Sequence, residues 1–158
     1  MAVDRVPQNY PQLTPYLAVD GADAAMAFYC DVIGFTRRGD VMRAPDGRVG
    51  HAELELGNSL LMIADEWPEV GNLGPGTIGG SPVMLSVYVE DVDAVFAKAI
   101  AAGATSLREP EDQFYGDRMS SILDPWGHRW SIASHIEDVD EEEMARRATE
   151  ALAEEHDG

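Results

Sequence analysis

The chain has 158 residues, 45% hydrophobic and 25% charged, which suits one compact unit or two small halves sharing a core. Lys and Arg number 11 against 29 Asp and Glu; the net charge of -18 repels phosphate backbones and anionic lipid, which argues against nucleic-acid and membrane partners. The single cysteine, Cys30, excludes an internal disulfide and a cysteine-based zinc cluster; with no apolar run near the roughly 20 residues of a bilayer span and no signal-peptide core, a cytoplasmic protein is expected.

Residues 1–12 read as an N-terminal arm. Residues 13–19 alternate as a strand, and Asp20 and Gly21 open a helix whose apolar residues Ala22, Met26, Tyr29 and Ile33 follow helical spacing until Gly34 stops it. Strands at 36–43 and 48–56 flank the turn Ala44-Pro45-Asp46-Gly47, and Gly57-Asn58 turns into a strand at 59–64. The Gly- and Pro-rich stretch 67–82 reads as a linker between modules at 13–66 and 83–136. In the second module a strand at 83–89 precedes a helix capped by Asp91 and carrying Val92, Val95, Phe96 and Ala99, which Gly103 ends. Strands follow at 105–108, 118–123 and 129–133, the last two joined by Asp124-Pro125-Trp126-Gly127-His128.

The tail, 137–158, holds ten acids and two arginines, a net of -8. Asp140 and Glu143 fit a capping box, with Val139 and Met144 placed as a hydrophobic staple. The thin stripe Met144, Ala148, Leu152 predicts a helix docked on the body or on a partner subunit, its acidic side a solvated face.

The two modules repeat. Shifted by about 70 residues, Val19 falls on Val89, Asp23 on Asp93, Ala24 on Ala94, Ala27 on Ala97, Gly57 on Gly127, Leu60 on Trp130 and Ala64 on Ser134, with no change of offset. The expected fold is α+β, two tandem βαβββ modules followed by a C-terminal helix.

Such a repeat resembles the vicinal oxygen chelate superfamily of glyoxalases, dioxygenases and bleomycin resistance proteins. The likeness is carried by Pro15-Tyr16-Leu17-Ala18-Val19, Ala27-Phe28-Tyr29 with Gly34-Phe35, and Asp124-Pro125-Trp126-Gly127-His128-Arg129-Trp130. The run from His51 to Gly57 and the ending Ser134-His135-Ile136-Glu137-Asp138 are similar to the PhnB-like branch. The resemblance implies two cupped sheets facing a shared cavity, a homodimer, and metal ligands on the first and last strand of each module. Those four positions read Thr14, Leu61, Met84 and Ser131, none of them a histidine or carboxylate, so a metal-free protein without a cofactor is expected.

Strand alternation then turns Tyr16, His51, Glu53, Glu55, Ser86, Tyr88, Met119, Ser121 and Leu123 toward the cup, with Trp67, Phe114, Tyr115 and Trp126 in connecting segments at its rim. The ligand-binding set is Tyr16, His51, Glu53, Glu55, Met84, Tyr88, Phe114, Tyr115 and Trp126. Aromatic and thioether walls with a carboxylate cluster suit a cationic or aromatic small molecule, sequestered in the manner of an antibiotic-resistance protein. The alternative is an enzyme with a site relocated to His51 and Glu53, holding a metal with Glu55 or a residue of the other module, or using His51 as a general base. The bland alternatives are a solvated strand face for His51, Glu53 and Glu55, and structural roles for His128, His135, Trp130 and Cys30. Arg118 reads either as an anchor for an anionic group or as an ion pair with Asp117 or Glu111.

Overall fold

A computed structural model describes residues 3–156. In chain order it forms β1 (Tyr16–Val19), α1 (Ala22–Phe28), β2 (Thr36–Arg43), β3 (Val49–Leu56), β4 (Ser59–Asp65) and the short helix α2 (Pro75–Ile78). There follow β5 (Met84–Tyr88), α3 (Val92–Ala101), β6 (Thr105–Asp112), β7 (Asp117–Leu123), β8 (Arg129–His135) and α4 (Glu141–His156). The α+β class and the tandem βαβββ pattern are as expected. Each module makes a mixed four-stranded sheet of the same order, β1-β4-β3-β2 and β5-β8-β7-β6, with the first and last strands parallel and the others antiparallel. Two compact units result. One holds the chain up to Pro82 with Pro125–His128; the other holds Val83–Asp124 with the chain from Arg129 onward.

In the first unit α1 covers one sheet face. Ala22, Ala25, Met26 and Phe28 are buried, and Tyr29–Ile33 continues the helix as a wider π-turn that Gly34, at φ 103°, closes by donating its N–H to the Tyr29 carbonyl. Against this face stand Leu17, Val19, Ala52, Leu54, Leu61 and Ile63, all nearly or fully buried. Completely burying such an aliphatic side chain contributes about 1.5–3 kcal/mol. Asp20 does not cap α1. Asp65 does so from β4: its Oδ1 accepts the Gly21 and Ala22 N–H groups at 3.1 and 2.7 Å, and its Oδ2 accepts that of Val49 at 2.7 Å.

In the second unit Asp91 caps α3 as expected, accepting the Ala94 N–H at 3.0 Å, and Ser134 of β8 accepts that of Val92. Trp130 is buried beneath the sheet face that carries Ile122 and Ile132, and its indole N–H donates to Asp124. Arg118 pairs with Asp93 and Asp112 rather than with Asp117 or Glu111, because it lies on the helix-bearing face of β7. β6 extends to Asp112, past Pro110, through two register shifts of the kind that release a strand from regular pairing. The 67–82 stretch has structure of its own: a bridge from Trp67 to Asn72, a 3₁₀ turn, and α2, whose start is held by the Glu66 carboxylate on Gly74 N–H and the Thr77 hydroxyl. Gly74 is obligatory there, since a Cβ would stand 2.8 Å from the Ala18 carbonyl oxygen.

The capping box of α4 is half made. Asp140 accepts the Glu143 N–H at 2.9 Å, but the Glu143 carboxylate is taken by Arg146 and Arg147. Arg147 ties the helix to Glu137 and to the Phe114 carbonyl. Met144, Ala148 and Ala151 are half-buried, whereas Leu152 of the expected stripe is exposed. Among the described residues no helix is long and apolar enough to cross a membrane.

Strand pairing corrects the repeat. Tyr16 stands opposite Met62, and Ser86 opposite Ser131; Glu53 stands opposite Met62, and Ser121 opposite Ser131. Tyr16 therefore answers to Ser86, 70 residues on, but Met62 answers to Ser131, 69 on, and Glu53 to Ser121, 68 on. The turns differ in length, and a one-residue slip moves a side chain to the opposite face. Leu61 is consequently misassigned to the cup: it is 3% exposed, pairs with buried Leu54, and packs on the α1 side, while Met62 takes the position equivalent to Ser131.

Candidate functional site

The face of the first sheet opposite α1 collects the chemistry. Cross-strand partners share a face, so Tyr16, Met62 and Glu53 lie together, as do Glu55 with Leu60 and Arg38 with Glu53. The alternation of β3 is regular along this stretch: Ala52 and Leu54 pack on the helix side, and His51, Glu53 and Glu55 lie on the face opposite α1.

These side chains are hydrogen-bonded into a chain. The Tyr16 hydroxyl donates to His51 Nδ1 at 2.7 Å, and His51 Nε2–H donates to Glu53 Oε1 at 3.1 Å. A carboxylate at Nε2 fixes the ring proton there and leaves Nδ1 as the acceptor. The same Glu53 oxygen accepts the Tyr10 hydroxyl at 2.8 Å, and Arg38 Nη1 stands 3.8 Å from Glu53 Oε2. Burial pushes the Glu53 carboxyl up, but the Tyr10 and His51 hydrogen bonds and the Arg38 charge outweigh it and hold the group below the ordinary carboxylate value. Desolvation, then the Glu53 charge, pushes the Tyr16 phenol up, so it remains a neutral hydroxyl. Glu55 is exposed and borders an open pocket of about 460 Å³, lined also by Tyr10, Arg38, Asn58 and Leu60.

The corresponding face of the second sheet is different in kind. Met84 and Tyr88 of β5 are exposed on it, with Met119 and Ser121 on the same face of β7, beyond β8. Its ionisable groups sit at one end, where Tyr88 donates to Asp117 Oδ2 at 2.6 Å and His135 lies between Asp117 and Asp138 at 2.8 and 2.9 Å. Phe114 and Tyr115 meet edge to face in the β6–β7 turn, and the Tyr115 hydroxyl rests on Met119 sulfur. Trp126 lies against Phe28 and Tyr29 at ring distances of 5.7 and 6.1 Å, on the α1 side, outside the group gathered on the open face. Trp67 is stacked under Arg48. Tyr10, Arg38 and Asp117 were not legible as site residues, since Tyr10 sits in an arm without periodicity and Arg38 and Asp117 belong to no motif.

The four metal positions implied by resemblance supply a hydroxyl at Thr14, an exposed thioether at Met84 and a buried hydroxyl at Ser131; Leu61 is turned away and Met62 brings only a second thioether. This donor set does not fit a divalent cation that takes imidazole and carboxylate ligands. Among the described residues no three His, Cys, Asp or Glu side chains are grouped so as to hold an ion.

Comparison with known proteins agrees with the fold. Residues 10–132 match the family model described as the Glyoxalase/Bleomycin resistance protein/Dioxygenase superfamily. The uncharacterized protein Mb0911c of Mycobacterium bovis is 37% identical over 137 residues, covering 85% of this chain and 90% of its own. Among solved structures, TioX from Micromonospora sp. ML1 is 29% identical with a TM-score of 0.59, over 80% of this chain and 99% of that one. A glyoxalase/bleomycin resistance protein/dioxygenase family enzyme from Burkholderia phytofirmans PsJN, 22% identical with a TM-score of 0.58 over 78% of this chain and 97% of that one, shares the fold.

Proposed function

The chain belongs to the glyoxalase/bleomycin resistance protein/dioxygenase superfamily, and from that premise we propose that it is a metal-free binding protein that sequesters a small aromatic or cationic molecule. The observation that carries this is the open face of the first sheet. There two tyrosines, an imidazole, an ionised carboxylate and a guanidinium surround one spot beside an open pocket, while the family's metal positions hold groups unable to grip a cation. Such a surface binds by stacking, hydrogen bonding and charge, with no bond made or broken. The resistance-type role, the PhnB-like branch, a cytoplasmic location and a homodimer belong to the same proposal and are drawn from the family resemblance.

One feature favours a second function. In the Tyr16–His51–Glu53 chain an imidazole is oriented by a carboxylate and hydrogen-bonded to a half-exposed hydroxyl, an arrangement suited to proton transfer.

A thermal-shift panel separates the two. Bleomycin-type cationic aromatics at about a hundred times the dissociation constant are expected to stabilise the chain by roughly 2.7 kcal/mol, and His51→Ala to reduce the shift. No shift across the panel, together with turnover of a methylglyoxal–thiol adduct, would overturn sequestration in favour of catalysis.

A further inference from the structure

Asn9 and Tyr10 tie the segment before β1 to the first sheet. The Asn9 carbonyl accepts from Arg38 Nη2 at 3.0 Å, the Arg38 guanidinium lies 4.6 Å over the Tyr10 ring, and the Tyr10 hydroxyl reaches Glu53 at 2.8 Å. Tyr10 thus meets the same carboxylate that His51 meets and satisfies two complementary partners at once. Its flat ring takes the cation and its hydroxyl hydrogen takes the carboxylate. Both partners lie on adjacent strands of one sheet, Arg38 directly opposite Glu53, so their spacing is fixed by the fold. Tyr10 arrives on a segment with no regular secondary structure of its own. The open pocket of about 460 Å³ is bounded on one side by this arm, from Gln8 to Pro11, and on the other by Arg38, Glu55 and the β3–β4 turn. Lifting the arm would join that pocket to the spot Tyr10 fills.

We propose that Arg38 and Glu53 form a seat for a hydroxylated aromatic ring, that Tyr10 occupies it as a built-in placeholder, and that a phenol-bearing ligand enters by displacing the arm. This rests on the proposal that the open face binds small molecules and narrows it to a ligand class: a flat ring with an O–H donor on its edge. A simple amine cation fits the seat less well, because Arg38 already faces Glu53.

The test uses p-cresol, the Tyr side chain alone, and the whole 158-residue chain. Tyr10→Ala empties the seat, and p-cresol is expected to raise its melting temperature saturably, with an apparent affinity at least tenfold tighter than for the unaltered chain. Toluene, which has the ring without the hydroxyl, is expected to act at least tenfold more weakly. Adding Glu53→Gln or Arg38→Met to Tyr10→Ala is expected to remove the difference between the two probes. Equal p-cresol affinity in the Tyr10→Ala and unaltered chains, or equal response to p-cresol and toluene, would overturn the seat. If Tyr10→Ala fails to fold, tryptic cleavage after Arg5 in the unaltered chain decides: acceleration by p-cresol and not by toluene supports displacement, and no acceleration overturns it. The two proposals fail separately. A Tyr10→Ala chain that takes p-cresol while the antibiotic panel leaves the unaltered chain unmoved keeps the seat and removes sequestration; the reverse pattern removes the seat alone.

Discussion

Asp65 and Ser134 occupy equivalent places in two sheets of identical strand order, yet they do different amounts of work. Asp65 accepts three backbone N–H groups, two at the start of α1 and one from β3. Ser134 accepts one, from Val92, and donates to the Val89 carbonyl. The difference begins in the local sequence. The first helix starts at Gly21, which has no capping side chain, so its open N–H groups fall to Asp65 of β4, the neighbour of β1 in the sheet; the second has Asp91 and needs less help. The same divergence appears on the opposite faces, where His51 and Glu53 of the first sheet correspond to Met119 and Ser121 of the second. The two sheets share a strand order but not a placement of ionisable groups: mid-sheet around His51 and Glu53 in the first, at one end around Asp117 and His135 in the second.

The sharpest way to break this comparison is at the two capping positions. Asp65→Ala leaves three backbone donors short of an acceptor and is expected to lower unfolding free energy by about 2–4 kcal/mol, measured by urea denaturation. Ser134→Ala removes one neutral acceptor and should cost only about 1 kcal/mol. Equal losses would mean that the two sites carry equal loads after all. A smaller effect separates the faces: Glu53→Gln should change stability by under about 1 kcal/mol but weaken aromatic-ligand binding at least tenfold, whereas Ser121→Ala should alter neither by as much.

The smallest effect is one of pH. Asp138 and then Asp117, hydrogen-bonded to opposite nitrogens of His135, raise its pKa above the ordinary 6.5, since only the imidazolium donates to both. The stabilisation is therefore fully present below about pH 6.5 and is lost as pH rises through the raised value. Because Asp138 lies just before α4, proteolysis of the C-terminal helix should speed up over that rise, and His135→Gln should flatten the profile.

The fold was legible because its signals are redundant: helical spacing in α1 and α3, Gly34 and Gly103 at their ends, turn residues between strands, and the repeat itself. Side-chain direction was legible where alternation holds, which is why His51, Glu53 and Glu55 fall on the sheet face opposite α1. It failed where a turn changed length without a compositional mark, so that Leu61 was assigned the direction belonging to Met62. Tyr10 was beyond reach for a different reason. A residue in an irregular arm acquires its position only from a long-range partner, 43 residues away in the case of Glu53, and no local pattern records that.

The absence of a competent metal donor set is the claim on which the binding function depends. Calorimetric titration of the purified chain with Zn²⁺, Ni²⁺ and Mn²⁺, with elemental analysis after dialysis, tests it directly. The expected result is no saturable uptake and far less than one ion per chain. One ion retained per chain, and lost in His51→Ala, would contradict it.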